Sequence, residues 1–210
     1  MHSKVTKVLY ICFTVIPLVA AYFIKSRYKR LKAELEEEKN DYYYQNIFIH
    51  SKFECREHIL QATSCGEECS LNHLLTLVHF IASAKESISL CVLTLQLLNI
   101  LKELTKAHER GIKVRIILDK EMIAVDNLRL QRLRKSGIQV KTQKSDNSYL
   151  HHKFCLIDEK NKNSAKMFCG SLNLTLQGIV RNYEHVTLTN DYDMIQSFSE
   201  EFEKLWADFD

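Results

Sequence analysis

Apolar positions in this chain change their period several times, and each change marks an element. Residues 41–49 hold three tyrosines and alternating apolar side chains, the pattern of a strand. Residues 71–84 place Leu74, Leu75, Leu77, Val78 and Ile81 at helical spacing, and 87–95 follow as a buried strand. Residues 97–110 read as an amphipathic helix stopped by Gly111, with a β-branched strand over 112–118. The unit then repeats in shorter form: helix 126–136, stop at Gly137, strand 138–141. Strands at 150–157, 167–170 and 185–189 and a closing helix at 192–206, apolar at Ile195, Phe198, Phe202, Leu205 and Trp206, complete the body. Strands alternating with helices predict an α/β fold, its sheet parallel or mixed and flanked by helices. The expectation is a mixed, largely parallel sheet in one domain over 40–210, with a small insertion over 55–73.

The first 39 residues follow a different pattern. Residues 8–24 are uncharged, at the lower limit for a helix that crosses a bilayer. A membrane anchor over 1–24 is the first reading. A cleaved signal peptide is the second, because Lys4 and Lys7 precede the run and Val19-Ala20-Ala21 offers small residues near its end. Lys25, Arg27, Lys29, Arg30 and Lys32 follow within eight residues, and cationic flanks of this kind stay on the cytosolic side. Residues 25–39, basic and then acidic, read as a juxtamembrane tether.

Composition narrows the chemistry. The net charge of +3 divides into +4 over residues 1–39 and −1 over 40–210, so the folded part carries no general positive field for nucleic acid. A local groove remains available in Lys120, Arg129, Arg132, Arg134, Lys135, Lys141 and Lys144, a set that equally describes a solvated helix face. One proline and five glycines exclude a glycine-rich phosphate loop, so any phosphate site must be made of side chains. Seven unevenly spread cysteines do not form a secreted disulfide framework.

The informative stretch is His151-His152-Lys153, with Asp158 after it, then Gly170-Ser171-Leu172-Asn173 and Glu184. Side chains alternate on a strand, so His151 and Lys153 share one face and His152 the other. An ammonium, a hydroxyl and an amide converging beside an imidazole make a socket for phosphate oxygens, with the imidazole placed to attack phosphorus. Glu184 is a candidate to orient that imidazole by accepting from its second nitrogen. A second cluster, Cys55, Cys65, Cys69 and His73 within the insertion 55–73, which reads as zinc-binding, offers three thiolates and an imidazole, suited to a closed, structural zinc site. Its spacing alone does not distinguish this from buried thiols.

These motifs resemble the signature of the phospholipase D superfamily: H-x-K, four residues, D, then G-S-x-N. The resemblance implies phosphodiester cleavage through a phosphohistidine with no metal in the chemical step, and His151, Lys153, Asp158, Ser171, Asn173 and Glu184 as the catalytic set. Only one such motif is present, while the reaction needs two histidines in opposite protonation states. A second copy of the chain would supply the other, giving a homodimer with one shared site. The anchor, the Cys/His cluster, the form H-H-K-F and the closing E-E-F-E-x-x-W helix resemble the Zucchini (MitoPLD) family.

That resemblance implies a single-pass protein of the mitochondrial outer membrane with its catalytic domain in the cytosol. It also implies a structural zinc and a single-strand-selective endoribonuclease that leaves 5′-phosphate and 3′-hydroxyl ends in PIWI-interacting RNA biogenesis. Two departures stand out. The family's G-S-L-N-W-T has Leu174 in place of an aromatic expected at the pocket rim. Its C-x-C-x3-H zinc segment is matched by Cys69 and His73 but displaced at Cys65. The competing activity is cardiolipin hydrolysis to phosphatidic acid, which breaks the same kind of bond; a binding protein with a dead site is opposed by the intact residue set.

Overall fold

The computed structural model describes residues 13, 16–40, 43–51, 55–121, 127–144 and 148–210. The chain divides into two units, Met1–Tyr42 and Tyr43–Asp210. In the first, helix α1 (Ile16–Asn40) carries exposed Leu18, Tyr22, Phe23 and Ile24 and continues through the basic run. Most of the first half of the apolar run, residues 8–12, 14 and 15, lies outside the described residues. Among the described residues no helix is long and apolar enough to cross a membrane.

The second unit is built on one seven-stranded sheet. Its elements in chain order are β1 (Tyr44–Ile49), α2 (Cys55–Gln61), α3 (Ser70–Ala82), β2 (Ser87–Val92), α4 (Leu98–Glu109), β3 (Lys113–Leu118), α5 (Asn127–Lys135), β4 (Gln139–Thr142), β5 (Lys153–Ile157), β6 (Lys166–Gly170), α6 (Leu176–Val180), β7 (Glu184–Thr189) and α7 (Tyr192–Asp208). The spatial order is β1-β7-β6-β5-β2-β3-β4.

The helix-crossover units β2-α4-β3 and β3-α5-β4 are parallel, as their spacing predicts. The other four pairings, β2 with β5, β5 with β6, β6 with β7 and β1 with β7, are antiparallel. The sheet is mixed, as expected, but antiparallel pairings outnumber parallel ones four to two, so it is not largely parallel. The links 158–165 and 171–183 hold at most the five-residue helix α6, too little for a crossover, so these strands fold back beside one another.

Each face of the sheet has its own core. Leu74, Leu77 and Ile81 of α3 and Ile100 and Leu104 of α4 pack on one face against Leu90, Ile116 and Cys155. Ile195 and Phe202 of α7 pack on the other against Cys91, Ile117, Phe154 and Leu156. Along β5 the two faces alternate residue by residue, with Cys155 and Ile157 in the first core and Phe154 and Leu156 in the second. A buried Arg115 ties α7 down. Its guanidinium bonds Glu203 at 2.8 Å and Glu159 at 3.3 Å and lies 4.8 Å from the Phe202 ring centroid. The chain end is fixed to β4 by the backbone pair Thr142 and Asp210 (2.7 and 3.1 Å).

Candidate active site

β5 begins at Lys153 and pairs with β2 so that Val92 faces Lys153. The residues before it, His151 and His152, therefore lie at the carboxyl end of β2 and its parallel neighbour β3, the usual place for a ligand in an open α/β sheet. A groove of about 620 Å³ opens there, lined in part by Lys144, Tyr149, His151, His152 and Leu205. His151 is exposed, whereas Lys153 is buried. The Lys153 ammonium donates to the His151 carbonyl at 2.8 Å. Burial holds the Lys153 pKa below the ordinary lysine value, and the Glu184 carboxylate pulls it partly back.

His152 leans toward α7, the face that alternation predicts, while still lining the same groove as His151. Its ring lies 5.8 Å from that of Phe154, and its Nε2 is 3.7 Å from Glu201 Oε1 on α7.

Ser171 and Glu184 meet where β6 ends and β7 begins. The Ser171 hydroxyl donates to Glu184 Oε2 in a short bond and accepts from the His185 amide at 3.1 Å. Asn182 Nδ2 donates to the other carboxylate oxygen at 2.8 Å. The glycine of the motif has a steric cause: a Cβ at Gly170 would lie 2.1 Å from the His185 carbonyl oxygen. Asn173 follows, and its Oδ1 is buried with no hydrogen-bond partner among the described residues. A buried acceptor left open in this way is costly unless a donor completes it.

Three expectations need correction. Among the described residues Glu184 bonds Ser171 and Asn182, not the His151 ring. Asp158 stands at the far end of β5, about 16 Å away by strand rise. There it is 1% exposed and accepts from the amides of Lys85, Glu86 and Ser87 at 2.8–3.2 Å. It is a clamp on the entry to β2, held with φ at 51°, and is not part of the socket. Leu174, expected at the rim, is 1% exposed inside the first core. Its carbonyl accepts the amides of Gln96 and Leu97 (2.8 and 3.0 Å), fixing the start of α4.

Sequence reasoning missed the support beneath His151. Asp119, fully buried at the end of β3, accepts from Gln143 Nε2 at 2.6 Å and from the Leu150 amide at 2.9 Å. Gln143 also donates to the Ser148 carbonyl at 3.2 Å. The backbone leading into His151 is thus pinned by a buried carboxylate. The available signal was an aspartate closing a run of apolar strand residues.

The cysteine cluster forms with one changed member. Cys55, Cys65 and Cys69 come together with His58, their ligand atoms all within 4.8 Å of one another; His73 is outside this group. His58 is placed by helix geometry, three residues after Cys55 on α2 and so on the same face. His73 sits on α3, its Nε2 4.0 Å from Glu68 Oε2. Cys55 lies 3.9 Å from both Cys65 and Cys69, and Cys69 is 3.5 Å from His58 Nδ1. A tetrahedron with zinc–sulfur legs of about 2.3 Å has sulfur–sulfur edges of about 3.8 Å, so these residues fit a zinc ion. Burial raises the Cys69 pKa, but backbone N–H groups of Cys65 and Leu71, with Cys65 and His58, outweigh it and bring the thiol to about 6. Cys65, donating to that sulfur, is pushed up to about 11.

The mixed sheet, the H-x-K strand end and the Ser-Glu pair across from it define a phosphodiesterase of the phospholipase D class. Residues 77–206 match the family described as "Cardiolipin synthase, PLD-like domain". The chain is 35% identical over 173 residues to the mitochondrial cardiolipin hydrolase of Mus musculus, covering 78% of this chain and 76% of that one. It is 32% identical over 174 residues to that of Homo sapiens, covering 78% and 67%. Its fold is similar to that of the phospholipase D family member Nuc from Salmonella typhimurium, with a TM-score of 0.63 at 21% identity over 80% of this chain and 97% of that one. The chain belongs to the mitochondrial cardiolipin hydrolase (Zucchini, MitoPLD) family of the phospholipase D superfamily.

Proposed function

We propose that the chain is a single-strand-selective endoribonuclease acting in PIWI-interacting RNA biogenesis, anchored by its N-terminal helix in the mitochondrial outer membrane and working as a homodimer. The observation that carries this reading is the groove at His151. An exposed Tyr149 stands two residues before the histidine, with Lys144 on the same wall and Lys120 reaching the Lys144 carbonyl at 3.4 Å. An aromatic face for a base beside cations for the backbone is how single strands are held without sequence preference.

In the first step the His151 imidazole attacks phosphorus, and the bond to the 3′-oxygen breaks. The partner's equivalent histidine gives that oxygen its proton, leaving a 3′-hydroxyl and a phosphohistidine. Water, losing a proton to the same second histidine, then attacks phosphorus and frees a 5′-phosphate with His151 restored. The Lys153 ammonium offsets the charge on the phosphoryl oxygens and the Asn173 amide nitrogen donates to them. Ser171, bonded to Glu184, holds the strand ends together. Cys55, Cys65, Cys69 and His58 would hold the zinc, which would cross-link α2 to the segment leading into α3 and supply no chemistry, since four protein ligands leave no open position.

The relatives' name favours a second reading, hydrolysis of cardiolipin to phosphatidic acid with the same two histidines. Full-length protein incubated in parallel with labelled single-stranded RNA and with cardiolipin vesicles separates the two. RNA cleavage abolished by His151→Ala is expected; lipid cleavage alone, abolished by the same change, selects the second reading.

A further inference from the structure

A second cavity, of about 590 Å³, opens at the opposite end of the strands. Lys166 on its wall pairs with Ile157, the last residue of β5, whereas Lys153 is the first. About 13 Å of strand thus separates the end at this cavity from the end at Lys153 and the groove at His151. The other walls come from α3, from Lys85 at the entry to β2 and from the 159–165 connection.

Two features of this cavity are left unanswered by folding. Lys85 and Lys166 line it together, and among the described residues neither forms an ion pair; the Lys166 ammonium lies 5.0 Å from the Phe80 ring centroid. Burial lowers the Lys166 pKa, the charge of Asp158 raises it and the like charge of Lys85 lowers it again. The Asp158 carboxylate is itself already bonded to three backbone amides. The second feature is Ser164, whose hydroxyl oxygen is buried in this wall with no hydrogen-bond partner among the described residues. Two cations in the wall of one cavity and an unpartnered hydroxyl beside them are stabilised together by one anion that accepts from all three.

We propose that this cavity is a binding site for a phosphate-bearing ligand, its phosphate held between Lys85 and Lys166 with the Ser164 hydroxyl as third donor. Two ammonium groups and a hydroxyl in the walls of one cavity suit a tetrahedral oxyanion with several acceptors. The volume lies in the range of about 300–1,000 Å³ typical of small-molecule sites and exceeds what a bare phosphate fills. The rest of the ligand lies along Phe80 and Tyr43, which form the aromatic part of the wall.

Isothermal titration of the full-length protein in detergent with inorganic phosphate, adenosine 5′-monophosphate and glycerol 3-phosphate tests this. The same titrations on His151→Ala and Lys153→Met remove the catalytic socket, so the outcome is independent of whether the nuclease reading holds. One equivalent of at least one probe is expected to bind the His151→Ala and Lys153→Met proteins, weakened roughly tenfold or more when Lys166→Gln or Lys85→Gln is added. Ser164→Ala, which removes only one oxygen, is expected to weaken it less and keeps the test readable should Lys166→Gln fail to fold. The probe that binds best separates a nucleotide from a lipid headgroup. Binding that survives Lys166→Gln and Ser164→Ala unchanged, binding lost in His151→Ala, or no saturable heat from any probe at about 10 mM would overturn the proposal.

Discussion

Lys153 donates its ammonium to the backbone carbonyl of His151, two residues earlier on the same strand face, at 2.8 Å. The cation that is to meet the phosphate is thereby tied to the residue that is to attack it. The arrangement has a cost, because Lys153 is buried and its charged form is disfavoured. Its pKa is lowered in the folded state, so the unfolded chain binds more protons between the two pKa values. In that window stability rises with pH as the buried charge is lost. Activity moves the opposite way. The alkaline limb of kcat/KM is expected below the ordinary lysine value of 10.5. Lys153→Met is expected to lose about a hundredfold or more in kcat/KM while melting no lower than the parent. A pH profile and a melting curve on the same preparations check both.

Glu184 raises the Lys153 pKa through space while binding Ser171 and Asn182 directly. Glu184→Gln keeps a hydrogen-bonding group in place and removes the charge. The alkaline limb is therefore expected to shift to lower pH in Glu184→Gln. An unchanged limb would show that the lysine does not set it.

Asp158 belongs to folding and not to chemistry. Asp158→Ala leaves the amides of Lys85, Glu86 and Ser87 without their buried acceptor, a loss of about 2–4 kcal/mol for a charged acceptor of several bonds. It also puts a residue that disfavours left-handed backbone at φ 51°. Denaturant melts are expected to show the loss, while kcat per folded molecule stays near the parent's at low temperature. A collapse of kcat in fully folded Asp158→Ala would return Asp158 to the site.

The metal cluster makes a prediction about ligands. One zinc per chain is expected by elemental analysis. His58→Ala and Cys69→Ser should each lower zinc content and thermal stability, and prolonged chelation should do the same to the parent protein. His73→Ala should leave zinc content unchanged. The reverse result for the two histidines would restore the C-x3-H spacing at Cys69 and His73 as the true ligand pair.

Much of this was legible in the chain. The change from helical to strand periodicity placed the β2-α4-β3-α5-β4 run within a few residues. Strand alternation separated His151 and Lys153 from His152. Strand direction after β4 was not legible, since an apolar run has the same period whichever way it points; only the short links at 158–165 and 171–183 disclose it. Helix α2 was too short to carry a periodic signal, and with it went His58, which reaches the sulfurs by a helical turn and not by a spaced motif. Asp158 and Leu174 were misplaced for a related reason. A sequence motif records which residues occur together, while burial decides which of them face the socket.

The central claim is that His151 becomes covalently attached to phosphorus. Full-length protein quenched in alkali during turnover of phosphorus-labelled single-stranded RNA, digested and mapped by mass spectrometry, tests it directly. The account predicts a phosphoryl adduct on His151 that appears and decays with turnover and is absent from His151→Ala. Steady turnover with no adduct on His151, together with an active His151→Ala protein, would contradict it.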